Sequence, residues 1–360
     1  MGSNPTLSAI LIPGVDAIIK KSKPVPLVLA GFGNVGRAFL SLLQEKAETL
    51  RSRYGLELRL QAVMKSDGGL SFRSGFGKDQ LLDLTTGPMA ARADWKPGLT
   101  VKAALESGRP GVFVECTASN IQTGEPGLGY IRTALKAGWH IVTANKGPLA
   151  VDFKGLLNLA RDNHLGLKFS AATAAALPTL DIGLYSLAGA DVLSIEGILN
   201  GTTNYILTKM GEGISYKVAL KEAQDKGIAE PNPALDVEGW DTAVKLLLIA
   251  NCVLGLNFTL RDITVEGITR IRPEQLRRAN KEGRTLKLIG RINREGDRWK
   301  AEVSPAVIDR THSLFGVVGT NKGITFLTDT MGSITVTGGK SDPRGAAAAL
   351  LKDTINIYRS

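Results

Sequence analysis

Residues 25–30, VPLVLA, run directly into Gly31-Phe32-Gly33-Asn34-Val35-Gly36, and this junction constrains the chain more than any other part of it. An apolar run of that length reads as a buried strand. Beyond the turn, Val35, Phe39, Leu42, Leu43, Leu50 and Tyr54 recur at roughly helical spacing up to Gly55, which predicts a helix over 35–54. Strand, turn and helix in that order are the setting in which G-x-G-x-x-G binds a dinucleotide. The first glycine permits the tight turn, the second lets backbone approach a pyrophosphate, and the third lets helix and strand pack closely. The helix N-terminus adds free N–H groups and a favourable dipole. Gly31, Phe32, Gly33, Asn34, Val35 and Gly36 are therefore candidate cofactor contacts.

The pattern repeats downstream. LELRLQAVM (56–64), GVFVECT (111–117) and HIVTAN (140–145) read as strands, and IRTALKAGW (131–139) as helical. Such βαβ alternation predicts a Rossmann-type α/β domain, with a parallel sheet covered by helices on both faces, over 25–150 behind an N-terminal extension of 1–24. After residue 150 the order changes. LGLKFSAAT (165–173) and ADVLSIEGILN (190–200) read as strands with an apolar helix between them. Residues 205–210, 216–227 and 240–255 read as helices, and 286–305 as an antiparallel hairpin turning at Arg294-Glu295-Gly296-Asp297. This predicts an α+β second domain over 151–310. Residues 311–360 return to strand, strand and helix.

A dinucleotide site makes the end of the second strand informative. There an Asp or Glu normally meets the ribose 2′-hydroxyl of NAD. This strand ends Met64-Lys65-Ser66. Lys65 suits a 2′-phosphate, so NADP is favoured. NAD stays open because Asp67 follows two residues later, and Lys65 also reads as an exposed loop lysine.

Composition narrows the alternatives. Two cysteines and three scattered histidines supply neither a disulfide scaffold nor a His- or Cys-based metal site. No run of about 18 apolar residues suggests a membrane span. The N-terminus lacks a basic stretch ahead of its apolar residues, so a cytoplasmic location is expected. The net charge is +10, and residues 270–300 hold eleven Lys or Arg against four acids. Without a nucleic-acid motif or interleaved aromatics, that patch reads as a solvated helix face and hairpin rather than a nucleic-acid surface.

Ala229-Glu230-Pro231-Asn232-Pro233 leads to Asp236, Glu238, Asp241 and Lys245. Asp241 and Lys245 share one helix face, one turn apart. An acidic helix start with an exposed ion pair is one reading. The other is a group of carboxylates that holds an ammonium beside a lysine able to donate a proton.

Five phrases, GFGNVG (31–36), CTAS (116–119), TANKGPLA (143–150), GILNGTTNYILTKM (197–210) and AEPNPALDVEGWDTAVKL (229–246), resemble homoserine dehydrogenases. The resemblance runs from about residue 25 to the C-terminus. It implies a Rossmann domain, a substrate and dimerisation domain, and a C-terminal segment returning to the first. It implies reversible hydride transfer between NAD(P)H and aspartate 4-semialdehyde, giving homoserine, in threonine and methionine biosynthesis. By position, Thr117, Ala118, Lys146 and Gly339 would meet the coenzyme, and Thr202, Glu230, Asp236 and Asp241 the substrate. Lys245 would be the catalytic lysine, with Lys146 a second candidate. A homodimer or larger homo-oligomer is implied.

Two stretches depart from the family. Its E-A-T-V-G-A-G-L-P reads Ser170-Ala171-Ala172-Thr173-Ala174-Ala175-Ala176-Leu177-Pro178 here, with the acid lost and two glycines become alanine, so no metal site is expected. A Gly- and Ala-rich cofactor loop reads Gly338-Gly339-Lys340-Ser341-Asp342-Pro343-Arg344-Gly345, where Lys340 and Arg344 read as phosphate contacts or as surface charges. These departures keep two further readings open: a related dehydrogenase of another small amino or hydroxy aldehyde, and a catalytically silent scaffold. Since the chain stops at Ser360, no appended regulatory domain is expected.

Overall fold

The computed structural model describes residues 22–106, 109–339 and 342–359. Residues 1–21 of the expected extension, and Lys340 and Ser341, lie outside them. Two sheets organise the chain. The first contains β1 (Lys23–Ala30), β2 (Leu56–Lys65), β3 (Gly68–Ser71), β4 (Lys96–Pro97), β5 (Val112–Glu115), β6 (His140–Thr143) and β7 (Leu167–Lys168), in the order β4-β3-β2-β1-β5-β6-β7. From β2 to β7 the pairs are parallel, and β3 and β4 add an antiparallel edge. Strands buried on both faces need continuous apolar runs, which is what Leu27–Ala30 and Val112–Val114 provide.

The second sheet contains β8 (Val192–Ile198), β9 (Ile263–Val265), β10 (Thr285–Glu295), β11 (Arg298–Ile308), β12 (Lys322–Thr328) and β13 (Ser333–Gly338), ordered β13-β12-β8-β10-β11-β9. The expected hairpin is β10–β11, paired from Thr285↔Ile308 to Glu295↔Arg298. Gly296, at φ 61°, supplies the left-handed residue its tight turn needs. Much of the basic stretch lies here and on the helix Pro273–Lys281. Arg277, Arg278, Arg284 and Arg291 pair with Glu274, Glu282, Glu282 and Glu196.

Three expectations need correction. The helix over 35–54 is two helices, Asn34–Glu45 and Ala47–Tyr54, broken at Lys46. The break falls among the exposed residues 44–46, where no core contact holds the axis straight. Only Leu167–Lys168 of the predicted strand 165–173 is a strand, and Ser170–Ala174 is helical. There the Ser170 N–H donates to the Asp353 carboxylate (2.8 Å) instead of to a neighbouring strand. The segment 311–360 also divides. β12 and β13 belong to the second sheet, and the helix Pro343–Ile357 packs on Asn34–Glu45.

One apolar cluster runs through both halves. It takes in Ala30, Phe113 and Ile141 of the first sheet, Ile131, Leu149 and Leu156 of its covering helices, Leu246–Ala250, and Ile292, Val303 and Phe326 of the second sheet. A separate cluster on the far side of the first sheet joins Leu29, Phe39 and Val63 to Leu350 and Leu351. No described helix is long and apolar enough to cross a membrane.

Candidate active site

The helix Trp240–Val253 is apolar almost all round, and residues 242–244 and 246–251 are buried. Asp241 and Lys245 are its only charged residues. Their ion pair measures 2.6 Å, with side chains only 10% and 15% exposed, so the exposed surface pair is excluded. A second ammonium, that of Lys146, stands 3.3 Å from the other Asp241 oxygen. Asn200, which caps the helix Gly201–Gly211 with its side-chain oxygen, donates from Nδ2 to Asp241 (2.7 Å) and to Asp236 (2.6 Å). Lys245 also donates to the Leu199 carbonyl (3.0 Å).

Charge settles the protonation pattern. Burial alone would raise the Asp241 pKa, but Lys245, Lys146 and Asn200 hold this carboxylate well below its usual range. Asp236 moves the other way, because burial and the neighbouring Asp241 charge both disfavour its anion. Two neighbouring carboxylates with opposed shifts are a common mark of a functional site.

Lys146 is the first residue of the helix Lys146–Asp162, and Asn145 caps that helix by accepting from the Gly147 N–H (2.9 Å). Thr117 and Ala118 lie in the loop after β5, and the Asn145 amide donates to the Thr117 hydroxyl and the Ala118 carbonyl. The Thr202 hydroxyl donates to the Ile228 carbonyl (3.0 Å), tying the helix Gly201–Gly211 to the segment that leads to Glu230. Glu230 itself is exposed.

The glycine turn divides its labour. Gly31 has φ 92°, and a Cβ there would meet the Cys116 carbonyl at 2.4 Å; one on Gly36 would meet the Gly31 oxygen at 2.2 Å. Gly33 faces open space, with nothing within 4 Å. The helix Asn34–Glu45 has no side-chain cap and no acid in its first turn. Its N–H groups are therefore free for phosphate, and the turn fits a dinucleotide. Phe32 is buried, Val35 half-buried and Asn34 exposed. The Gly31 N–H donates to the Met64 carbonyl (3.0 Å), which brings the end of β2, and Lys65, beside the turn. Lys65 lies 3.9 Å from Asp67, both exposed.

Residues 31–169 match the family model of the homoserine dehydrogenase NAD binding domain, and residues 178–355 match that of homoserine dehydrogenase. The chain belongs to the homoserine dehydrogenase family. A homoserine dehydrogenase from Methanocaldococcus jannaschii is 37% identical over 337 residues, covering 93% of this chain and 98% of its own. An NAD(+)-dependent homoserine dehydrogenase from Pseudomonas canavaninivorans is 32% identical, covering 93% and 96%. A hyperthermophilic archaeal homoserine dehydrogenase in complex with NADPH superposes with a TM-score of 0.79 at 25% identity, covering 93% and 97%. The reaction is reversible NAD(P)-dependent hydride transfer between homoserine and aspartate 4-semialdehyde.

The segments in which this homoserine dehydrogenase departs from the family pattern are held by contacts of its own. Ser170 is bound by Asp353 and by the Lys352 ammonium, which also pairs with Asp181. Ala175 takes φ 52° without being glycine. The carbonyl before it accepts from the buried Lys322 of β12 (2.6 Å). Gly339, at φ 72°, abuts the Leu177 backbone, where a Cβ would come within 2.7 Å. Arg344 pairs with Glu45 on the surface. Among the described residues, no group of three His, Cys, Asp or Glu side chains is placed to hold a metal ion.

Asn200, Asn145, Glu115 and Lys322 were not singled out from the sequence. Asn200 and Asn145 lie inside phrases that the resemblance flagged, GILNGTTNYILTKM and TANKGPLA, so a signal for them existed. Glu115 and Lys322 are buried by long-range packing that no local spacing announces.

Proposed function

We propose that this enzyme moves the substrate proton through Lys245, with Lys146 beside it, and holds the substrate's amino-acid end on Glu230, Asp236, Asp241 and Thr202. The observation that carries this reading is the single buried carboxylate, Asp241, lying between two ammoniums. An anion so placed keeps both lysines aimed at one point. In the reducing direction, negative charge develops on the aldehyde oxygen, and a positioned ammonium both stabilises it and supplies the proton. In the oxidising direction the same lysine takes the hydroxyl proton. The bound nicotinamide supplies the redox chemistry, accepting or giving the hydride. The chain's part is to orient, to neutralise and to exclude water. Asp236 and Asp241 offer the negative charge that a substrate ammonium needs.

NADP is the proposed coenzyme of choice, because a lysine and not an acid ends β2 beside the glycine turn. Initial rates of homoserine oxidation with NADP and with NAD test this. A larger kcat/KM with NADP is expected, and a larger one with NAD would reverse the assignment.

The proposed active form is at least a dimer. The family resemblance supports this. Sedimentation of active enzyme at working concentration should give a dimer or larger species, and a monomer would overturn the reading.

A further inference from the structure

Glu115 ends β5 and is fully buried, and no cation stands among the partners of its carboxylate. A buried carboxylate in that position is retained only where donors replace the lost water. Four do so. The Thr117 N–H donates to Oε1 at 2.8 Å, the Thr117 hydroxyl donates to the same oxygen, the Thr143 hydroxyl donates to Oε2 at 2.8 Å, and the Asn145 amide donates to Oε1 at 3.3 Å. Burial pushes the carboxyl pKa up, and these four donors oppose that shift.

The Asn145 amide can face only one way here. Its Nδ2 points to Glu115, Thr117 and the Ala118 carbonyl. Its oxygen therefore accepts from the Gly147 N–H (2.9 Å) and the Ser119 hydroxyl (2.8 Å), which starts the helix at Lys146. The Lys146 N–H in turn donates to the Ser119 hydroxyl (3.2 Å). A glutamine at 115 keeps one acceptor and loses the charge: with its oxygen at the Oε1 position it still accepts from Thr117 and Asn145, while its NH₂ group faces the Thr143 hydroxyl, which must turn from donating to accepting. A neutral amide holds the Asn145 side chain more weakly than a carboxylate does, and an Asn145 that turns no longer caps the helix.

We propose that Glu115 is a positioning residue of the reaction: through Asn145 it fixes the start of the helix Lys146–Asp162 and so holds the Lys146 ammonium against Asp241. The inference rests on the role given to Lys146 above.

A double-mutant cycle on the full-length enzyme tests it, using Glu115→Gln, Lys146→Met and the double variant. Homoserine oxidation and coenzyme binding by NADPH fluorescence are both read. Glu115→Gln should lower kcat by about tenfold to a hundredfold, the scale of a small misplacement of a reacting group. NADPH affinity is read so that kcat is compared at saturating coenzyme, because the same carboxylate also holds Thr117. In the Lys146→Met background the same change should cost less than about twofold, because the group it positions is already gone. An equal loss in both backgrounds, or normal kcat in Glu115→Gln, overturns the inference. Should Glu115→Gln not fold, Asn145→Ser serves in the same cycle, keeping a short cap while losing the amide bonds to Glu115. It is expected to show the same non-additivity. Normal turnover in Lys146→Met alone overturns the reading of Lys146, and this inference with it. An impaired Lys146→Met with additive losses overturns the inference alone.

Discussion

The Lys146 ammonium stands 3.3 Å from the Asp241 carboxylate, so an ion pair joins the parallel-sheet half of the chain to the helix that carries Lys245. Asp241 already pairs with Lys245 on its own helix, and Lys146 is the ammonium that the other half contributes. The cluster of two lysines around Asp241 is therefore complete only once both halves are packed together.

Lys245→Met should cut turnover on homoserine by about two decades or more, the usual weight of a general acid–base group, while coenzyme still binds. Asp241→Asn removes the shared anion and should raise the homoserine KM more than Lys245→Met does. Steady-state kinetics of both variants check this. Near-normal turnover in a folded Lys245→Met enzyme would move the proton-transfer role to Lys146.

Two neighbouring glycines should fail in different ways. A Cβ at Gly33 meets no protein atom within 4 Å, so Gly33→Val should fold normally and lose coenzyme affinity. A Cβ at Gly31 would strike the Cys116 backbone at 2.4 Å, so Gly31→Ala should lower the melting temperature as well. Calorimetry and coenzyme titration separate the two. Unchanged coenzyme affinity in Gly33→Val would remove the turn from the cofactor site.

Lys65→Glu should weaken NADP binding more than NAD binding, since a carboxylate repels a 2′-phosphate. The contact is exposed and should fade with added salt. Equal effects on both coenzymes would take Lys65 out of the preference.

Lys322 should make stability depend on alkaline pH. Burial, reinforced by the nearby Lys245, lowers its pKa from the ordinary 10.5 to about 7. Between those values the unfolded chain binds the extra proton, so stability rises with pH across this window. Below about pH 7 both states carry the charge and the full penalty remains. Thermal melts of wild type and Lys322→Met from pH 6 to pH 10 isolate the effect, because groups common to both cancel. The wild type should gain on the variant as pH rises through neutrality, and parallel curves would refute the assignment.

Local chemistry made much of this readable in advance. The strand, glycine turn and helix at 25–45, the Gly296 hairpin, and the one-turn spacing of Asp241 and Lys245 are all short-range patterns. Burial of that pair was not readable, because it depends on Lys146 and Asn200 arriving from other elements. The strand expected at 165–173 failed for a similar reason. Its residues are apolar enough for a strand, but Asp353, far along the chain, captures the Ser170 backbone.

The apolar cluster that passes from Ala30 and Phe113 to Val303 and Phe326 leaves no seam between the two halves. A large apolar contact of this kind suppresses rigid-body hinging of one domain on another. Substrate entry and product escape then fall to short loops beside Lys146, such as 117–120, and to side chains that swing aside. A cavity cut in that cluster, for example by Phe113→Ala, would loosen nucleotide and amino-acid recognition together and not one alone.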